Sequence, residues 1–457
     1  NIAISELSGM METPDHYEFA IMDNEANIHN NALPMYTPEL LEKIRNNDPN
    51  PVPHPVHAGY ILNFPTTDWR AAVFENGFQQ VHNLNISGGG ENSSYYLSGS
   101  FSDQEGVIKH ADDNNKRYNL RLNYDYDFSD RIRLESKLSL ENQRRSDIGG
   151  SSSSWLITET IFGMPYFPIY TQNGNFYFAQ GGWGNAVAIA KEAETARFNT
   201  RNVNTNFKLT GDVLEGLTVN LQAGVNYRFE DNRDVAKSHP LHTWDESRIA
   251  YYSIANPDEA WLERLSGENI YRNFTGYFQY SKLLADKHQL DIMGGASHEE
   301  NDFEWFEASR DGFSTDETWA LDLGSTENMQ NGGGGEHWAI SSLFSRLSYI
   351  LHDKYILEAN LRYDGSSRFQ RETRWGFFPG VSLAWRASEE NFIKDLGWFD
   401  DLKLRASYGE TGNQEGINLY DYLQLINISG AYPFGPGRRD QSASLAGMVS
   451  LDRTWET

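Results

Sequence analysis

Apolar and polar residues alternate along most of this chain, most cleanly over residues 354–364. Tyr355, Leu357, Ala359, Leu361 and Tyr363 fall on one face, and Lys354, Glu358, Asn360, Arg362 and Asp364 on the other, with Ile356 the one apolar intruder. A period of two is the mark of a β-strand. The apolar face is aliphatic at its centre and carries a tyrosine at each end. Its eight residue steps span about 26 Å, so tilted by about 45° it covers most of an outer-membrane hydrocarbon band with its aromatic girdles. A strand of a water-soluble sandwich has no reason to end a long apolar face in tyrosines. The pattern predicts a transmembrane strand.

The scheme recurs from about Val81 onward. Tyr118, Leu120, Leu122, Tyr124, Tyr126 and Phe128 alternate with Asn119, Arg121, Asn123, Asp125 and Asp127. Ile132, Leu134, Leu138 and Leu140 oppose Arg131, Arg133, Glu135, Lys137 and Glu141. Leu217, Val219, Leu221, Ala223, Val225, Tyr227 and Phe229 alternate with Thr218, Asn220, Gln222 and Asn226, and the pattern returns at 381–385 and 402–408. Because a slip of one residue reverses every side chain, Leu120, Leu122, Leu134, Leu138, Leu221, Leu357 and Leu361 are expected to face lipid. Arg121, Arg133, Glu135, Asn360 and Arg362 are then expected to face a wet lumen.

Connections alternate in length. Short ones fall near 88–93, 129–130, 211–216, 284–287 and 352–353; long ones fall at 104–116, 144–200, 231–270, 309–336 and 365–373, and a further connection near 387–399 is longer than the other turns. Short turns on one rim and long loops on the other predict an outer-membrane barrel with the short rim periplasmic. Roughly twelve strands can be counted before the pattern fades past Gly409. An open sheet of that size would leave bare edges in lipid, so other strands are expected to complete it. The expected fold is all-β: an antiparallel transmembrane β-barrel, of which this chain is a fragment holding roughly the first half of the strands.

Residues 1–80 differ. Residues 14–26 read as a short helix and 36–45 as another, with Thr37 as N-cap and Pro38 at the first helical position. Four prolines within residues 48–55 then require an extended linker. The division expected is 1–80 as the end of a plug domain and linker, and 81–457 as the N-terminal part of the barrel with long extracellular loops.

Composition narrows the partners. Thirty-eight Lys and Arg against 64 Asp and Glu give the 457 residues a net charge of −26, which argues against nucleic acid. Cysteine is absent, which removes disulfides and thiolate chemistry. No apolar run reaches the length of a transmembrane helix, a test that barrel strands escape. The first residues show neither a charged nor an apolar leader region, so processing or a missing upstream segment is expected.

Several stretches imitate chemistry. Asp364-Gly-Ser-Ser-Arg-Phe369 holds serines but no nucleophile elbow, and reads as a strand turning into a loop, with Arg368 paired to an acid. Asp112-Asp-Asn-Asn115 lacks the glycine and distal Glu of a calcium loop. His54 and His57 lack further ligands at zinc spacing, and Gly332-Gly-Gly-Gly335 lacks the Gly-Lys-Ser/Thr of a phosphate loop and reads as a flexible linker. No catalytic cluster, metal site or cofactor is expected. The loop aromatics are different: Trp155, Tyr170, Tyr177 and Trp183 crowd the 144–200 loop beside Gln180-Gly-Gly-Trp-Gly-Asn185. Their rings could stack on a ligand at a lumen mouth, or they could supply the small core that a long loop needs.

Several blocks together resemble a known family. Phe64-Pro-Thr-Thr-Asp-Trp69, His82-Asn-Leu-Asn-Ile-Ser-Gly-Gly89, Tyr95-Tyr-Leu-Ser-Gly-Ser-Phe101, Arg117-Tyr-Asn-Leu-Arg-Leu-Asn123, Arg362-Tyr-Asp-Gly-Ser-Ser-Arg-Phe369 with Trp375-Gly-Phe-Phe-Pro379, and Leu402-Lys-Leu-Arg-Ala-Ser-Tyr-Gly-Glu-Thr-Gly-Asn-Gln414 are similar to the SusC/RagA-like TonB-dependent transporters of the Bacteroidota outer membrane. The resemblance implies a 22-stranded barrel and TonB-dependent import of an oligosaccharide or, as the second choice, a peptide. It also implies a SusD-like surface lipoprotein over the mouth, TonB acting through a segment not in this chain, and outer-membrane lipid around the wall. The competing reading is a soluble, secreted, β-rich glycan-binding protein, which would have strands of five or six residues and one dry face.

Overall fold

The alternation resolves into one antiparallel meander of twelve strands. They are β1 (Gln79–Gly89), β2 (Ser93–Glu105), β3 (Asn114–Ser129), β4 (Ile132–Ile148), β5 (Thr195–Leu214), β6 (Leu217–Ala236), β7 (Trp261–Leu284), β8 (His288–Asp311), β9 (Gln330–Leu351), β10 (Tyr355–Ser366), β11 (Trp375–Arg386) and β12 (Lys403–Gly409). The computed structural model describes residues 15–457 except 55–60, 151–152, 179–184, 238, 247–248, 253–259, 314–316, 436–437, 448, 450–451 and 457.

Register fixes the two faces. Leu122 lies opposite Leu97 and Leu138, Leu120 opposite Leu140, Leu134 opposite Leu209, Leu209 opposite Leu221, and Leu357 opposite Leu383. This apolar face stays open to the surroundings, with Leu84, Leu120, Leu221, Leu343, Leu361 and Leu383 all exposed. So wide an apolar surface calls for lipid. The other face carries Arg133 paired to Asp127 at 3.2 Å, Lys208 paired to Glu135 at 3.7 Å, and Arg346 paired to Glu358 at 3.1 Å. Arg362 holds Asp364 at 2.7 Å and donates to Ser342 Oγ at 2.9 Å. Each residue expected toward lipid or lumen falls on its expected face.

The short turns follow from strand twist. Ala285-Asp286 and His352-Asp353 both have positive φ, from 50° to 57°, as the two-residue turn that matches the right-handed twist of a hairpin requires. Aromatic girdles mark both ends of β10. On the short-turn side Tyr355 Oη donates to Glu390 Oε1 at 2.6 Å, Lys354 Nζ to Oε2 at 2.9 Å and Trp385 Nε1 to Oε1 at 3.3 Å. These donors, Tyr355 first and then Lys354, hold the Glu390 carboxyl at about 2. On the long-loop side Tyr363 stacks on Trp375 at 4.9 Å.

The strands are longer than their apolar segments. β7 and β8 have 24 residues each, β9 has 22, and β5 and β6 have 20 each, whereas about ten tilted residues cross the hydrocarbon. The excess projects on the long-loop side, and it absorbs stretches that local sequence marks as loop. The glycine run 332–335 is one of them: it pairs with Glu304–Glu307 inside the sheet. A Cβ on Gly334 would stand 3.2 Å from the Trp305 indole nitrogen, and one on Gly332 2.8 Å from Glu307 Oε1. Those glycines are strand and not linker. Arg368 likewise finds the Ile417 carbonyl at 2.5 Å where an acid was expected, while Ser366 Oγ donates to Gln414 at 2.5 Å.

The N-terminal segment sits on the long-loop rim. Helix α1 (His16–His29) is capped by Asp15, and α2 (Pro38–Arg45) by Thr37, whose hydroxyl accepts from Leu40 N. Ala20, Tyr36, Ile44, Leu62 and Phe64 make their shared core. A third helix, α3 (Trp69–Val73), leads into β1 from that rim, because the β1–β2 turn is one of the short ones. Trp69 Nε1 donates to the Met164 carbonyl at 3.0 Å, Thr67 N to the Pro165 carbonyl at 2.8 Å and Lys109 N to the Val73 carbonyl at 2.7 Å. Trp69, Val73, Ile108, Ile148, Leu156, Ala186, Val187, Ile189 and Ala190 form one buried cluster.

Two outcomes follow. In the full-length protein, Ala359→Arg on the lipid face should weaken folding into vesicles by about 2–4 kcal/mol, while Asn360→Arg one position along should cost far less; equal penalties in a lipid-folding titration would contradict the facing. The second concerns His16, which is 0% exposed with Nδ1 against the Phe64 carbonyl. Burial lowers its pKa from 6.5 to about 4. The unfolded segment takes up a proton first on acidification, so stability is full above the ordinary value and falls as pH drops toward the folded one. From pH 7 to 5 the α1–α2 core should lose about 2 kcal/mol, read as amide-exchange protection at Ala20 and Ile44, and His16→Phe should flatten the dependence.

Candidate functional site

The polar face contains a built recess. Arg121, Asn123, Lys137, Ser139, Asn204, Asn206, Asn226, Tyr271 and Asn273, from β3 to β7, line a hollow of about 450 Å³. Five of these are asparagines, which share one face because the inward positions are odd-numbered on β3 and β7 and even-numbered on β5 and β6. Asn226 donates to Asn204 across the β5–β6 pair. Gly224 lets the amides close in: a Cβ there would lie 2.2 Å from Asn273 Oδ1 and 3.2 Å from Asn206 Nδ2. The polar lining continues toward the loops, where Asn202 donates to Glu141 at 3.3 Å, Tyr271 Oη to Glu299 at 2.6 Å and Asn301 to Asn269 at 2.9 Å.

Neutral amides offer a donor and an acceptor each. Such a wall can exchange hydrogen bonds with hydroxyls or peptide groups while leaving the ligand's charge open. Only its inward direction was legible in sequence; the convergence of five asparagines from four strands needed the register. Among the described residues, no group of three His, Asp or Glu is placed to hold a metal ion.

Above the wall lie the loop aromatics. Tyr170 is 37% exposed, packs on Phe176 at 5.3 Å, and has Lys191 Nζ at 2.9 Å from its hydroxyl. Tyr177 is 1% exposed and packs with Ile61, Phe167 and Trp244, so its ring serves the loop core. Trp155 lies in helix α4 (Ser153–Phe162), where only its backbone is described, and Trp183 lies outside the described residues. Tyr170 and Tyr177 therefore share a hairpin without sharing a surface. Helix α5 (Ala186–Glu192), capped by Asn185, packs beneath them with Ala186, Val187, Ala188, Ile189 and Ala190 all buried.

Glu246 fastens this hairpin. Its carboxylate accepts from Thr171 Oγ1 at 2.8 Å and from the side-chain amides of Asn173 and Asn175 at 3.0 Å each. The Asn173 bond, followed by those from Thr171 and Asn175, holds its pKa below the usual carboxylate range. The backbone joins in, with Phe178 N donating to the His242 carbonyl and His242 N to the Phe176 carbonyl, both at 2.8 Å. Sequence reasoning missed Glu246 because its partners stand some seventy residues away.

A tall strand wall with one lipid face, one amide face and a loop layer on a single rim defines an outer-membrane barrel protein. Residues 158–440 match the family model described as TonB dependent receptor-like, beta-barrel. The chain belongs to that family, in its SusC/RagA-like branch, and to the outer membrane. It is 27% identical over 394 residues to the TonB-dependent receptor SusC of Bacteroides thetaiotaomicron, covering 82% of this chain and 38% of that protein. It is 27% identical over 414 residues to the TonB-dependent receptor P3 of Formosa agariphila, covering 87% and 39%. The RagAB peptide importer in its closed-closed state superposes with a TM-score of 0.71 at 23% identity, over 97% of this chain and 48% of that one. The chain thus spans about two-fifths of the length of the curated relatives it matches.

Glu246→Ala should release the 170–177 hairpin, read as faster proteolytic nicking there with the strand wall intact. Its folded pKa is depressed, so the clamp is present above the ordinary carboxylate value and lost as pH falls through the folded one. Acid should therefore speed nicking in the native protein and leave the variant unchanged; identical acid responses would remove Glu246 from the role.

Proposed function

We propose that this chain forms part of the wall and mouth of a TonB-dependent importer that carries oligomeric nutrients across the outer membrane. The observation that carries this reading is the asparagine-lined inner wall. Neutral amides suit a polyhydroxylated or amide-bearing chain that must form and break many weak contacts as it passes. An oligosaccharide is the leading substrate. A peptide is the second reading, favoured by the likeness to a structure described as a peptide importer. The protein acts by transport and not by covalent chemistry.

A SusD-like surface lipoprotein would seat over the loop layer, and TonB would engage a segment outside this chain. Residues 1–80 were expected as the end of a plug. The packing of 61–75 against 107–109 and 164–165 supports giving the described part of this segment to the mouth. Tyr170 and Trp183 are the loop aromatics proposed to touch substrate or lipoprotein.

In the full-length transporter, replacing Asn204, Asn226 and Asn273 together with leucine should cut oligosaccharide uptake roughly tenfold or more, because each amide hydrogen bond is worth about 1 kcal/mol. Tyr170→Ala with Trp183→Ala should lower binding or uptake while the barrel still inserts. Unchanged binding, uptake and lipoprotein association in both variants would overturn the reading. Peptide uptake lost with oligosaccharide uptake intact would select the second substrate.

A further inference from the structure

The outward face turns from apolar to charged as the strands leave the hydrocarbon: Phe229 gives way to Asp231 and Arg233 on β6, Val203 to Arg201 on β5, and Phe274 to Arg272 on β7. Just beyond that border the cations are not evenly matched. Arg272 is held by Glu300 at 3.0 Å and Asp302 at 2.7 Å, and Arg264 by Asp231 at 2.8 Å. Arg144, Arg197, Arg201 and Arg233 have no carboxylate partner among the described residues; Arg144 and Arg201 lie instead over the rings of Tyr118 and Phe229 at 6.0 and 5.8 Å.

The register makes the crowding sharper. Arg233 lies directly opposite Arg197 on one side and Arg264 on the other, three arginines in one row across β5, β6 and β7. Like charges directly opposite on a sheet face are destabilising. Burial, then Arg197 and, after an opposing pull from Glu194, Arg264 press the Arg233 guanidinium below its ordinary pKa. In a chain with 64 acids and 38 bases, solvation alone gives no reason for such a row. An anion brought by something else would relieve it.

We propose that Arg144, Arg197, Arg201 and Arg233 bind the phosphate groups of an outer-leaflet glycolipid whose acyl chains lie along the same strands. Position commits the surface to a lipid. The cations share a face with Leu134, Phe207, Leu209, Leu221 and Phe274, which with the small residues Gly276 and Ala296 shape an apolar dent of about 800 Å³. Four residues separate Phe229 from Arg233, about 13 Å along the strand, or about 9 Å above the girdle at a 45° tilt. Lipid phosphates lie in that zone, and guanidinium forks match them bidentately. The same strands place Arg228 on the inner face, paired with Glu230 at 2.6 Å, so one residue of register separates a lipid-facing arginine from a lumen-facing one.

The test uses the full-length transporter in nonionic detergent, with bis-phosphorylated lipid A and its dephosphorylated form as probes and native mass spectrometry as readout. The native protein should retain the phosphorylated form at least about tenfold more tightly, because clustered cations attract an anionic lipid surface. Arg144→Gln, Arg197→Gln and Arg233→Gln combined should abolish the preference, the three lysine substitutions should keep most of it, and Arg228→Gln should leave it unchanged. No preference in the native protein, a preserved preference in the glutamine variant, or equal loss with Arg228→Gln would overturn the proposal. Full displacement of lipid A by millimolar inorganic phosphate would overturn the lipid in favour of a free anion. If the glutamine variant does not fold, the comparison of the two lipids on the native protein still decides.

Discussion

Everything in this structure depends on the absence of water around its middle. A backbone amide in hydrocarbon has no solvent to bond, so every N–H and C=O must find a partner strand. The meander supplies those partners for ten of its twelve strands on both sides. Once the ladder is fixed, the strict alternation of side chains leaves no freedom about which residue meets lipid and which meets the lumen. The hydrophobic pattern follows from the ladder, and the amide wall is simply the other half of the same alternation.

Within the hydrocarbon this logic is local, so the sequence is legible there. Tyr355 and Tyr363 bracket an apolar face because each end of that face meets an interface. Thr37 and Pro38 announce α2 because capping needs only neighbours. Past the membrane the constraint changes. Gly334 is in a strand because it pairs with Trp305 in the β8–β9 ladder, close enough that a Cβ would stand 3.2 Å from the indole nitrogen. Arg368 bonds the Ile417 carbonyl, and Glu246 ties down Asn173, across separations that no local pattern encodes. Of the five asparagines of the inner wall, Asn123 and Asn226 were legible in direction, but the meeting of all five depended on registers set by turns far from them.

The loop layer owes its shape to packing in place of periodicity. Tyr166 touches both His16 and Phe19, and Trp69 reaches the carbonyl of Met164. The N-terminal helices and the 144–200 loop thus stabilise each other. An aromatic-rich loop therefore serves two ends at once. Tyr177 is spent on the core, which is what holds Tyr170 at the surface in a fixed attitude, with Lys191 against its hydroxyl.

The strand parity that separates lipid from lumen also sorts charge. Arg228 and Arg233 stand five residues apart on β6, an odd interval, and so lie on opposite faces. Arg228 meets Glu230 on the lumen side, as Arg133 meets Asp127 and Arg346 meets Glu358. Arg233 meets Arg197 and Arg264. A fold free to choose would place acids in that row, since cross-strand pairs of opposite sign stabilise a sheet and like pairs oppose it. This row stands on the outward face, beyond the aromatic girdle, and above an apolar dent on the same strands. That is where a membrane supplies its own anions. The feature that weakens the isolated sheet is the one expected to stabilise it once lipid surrounds the wall.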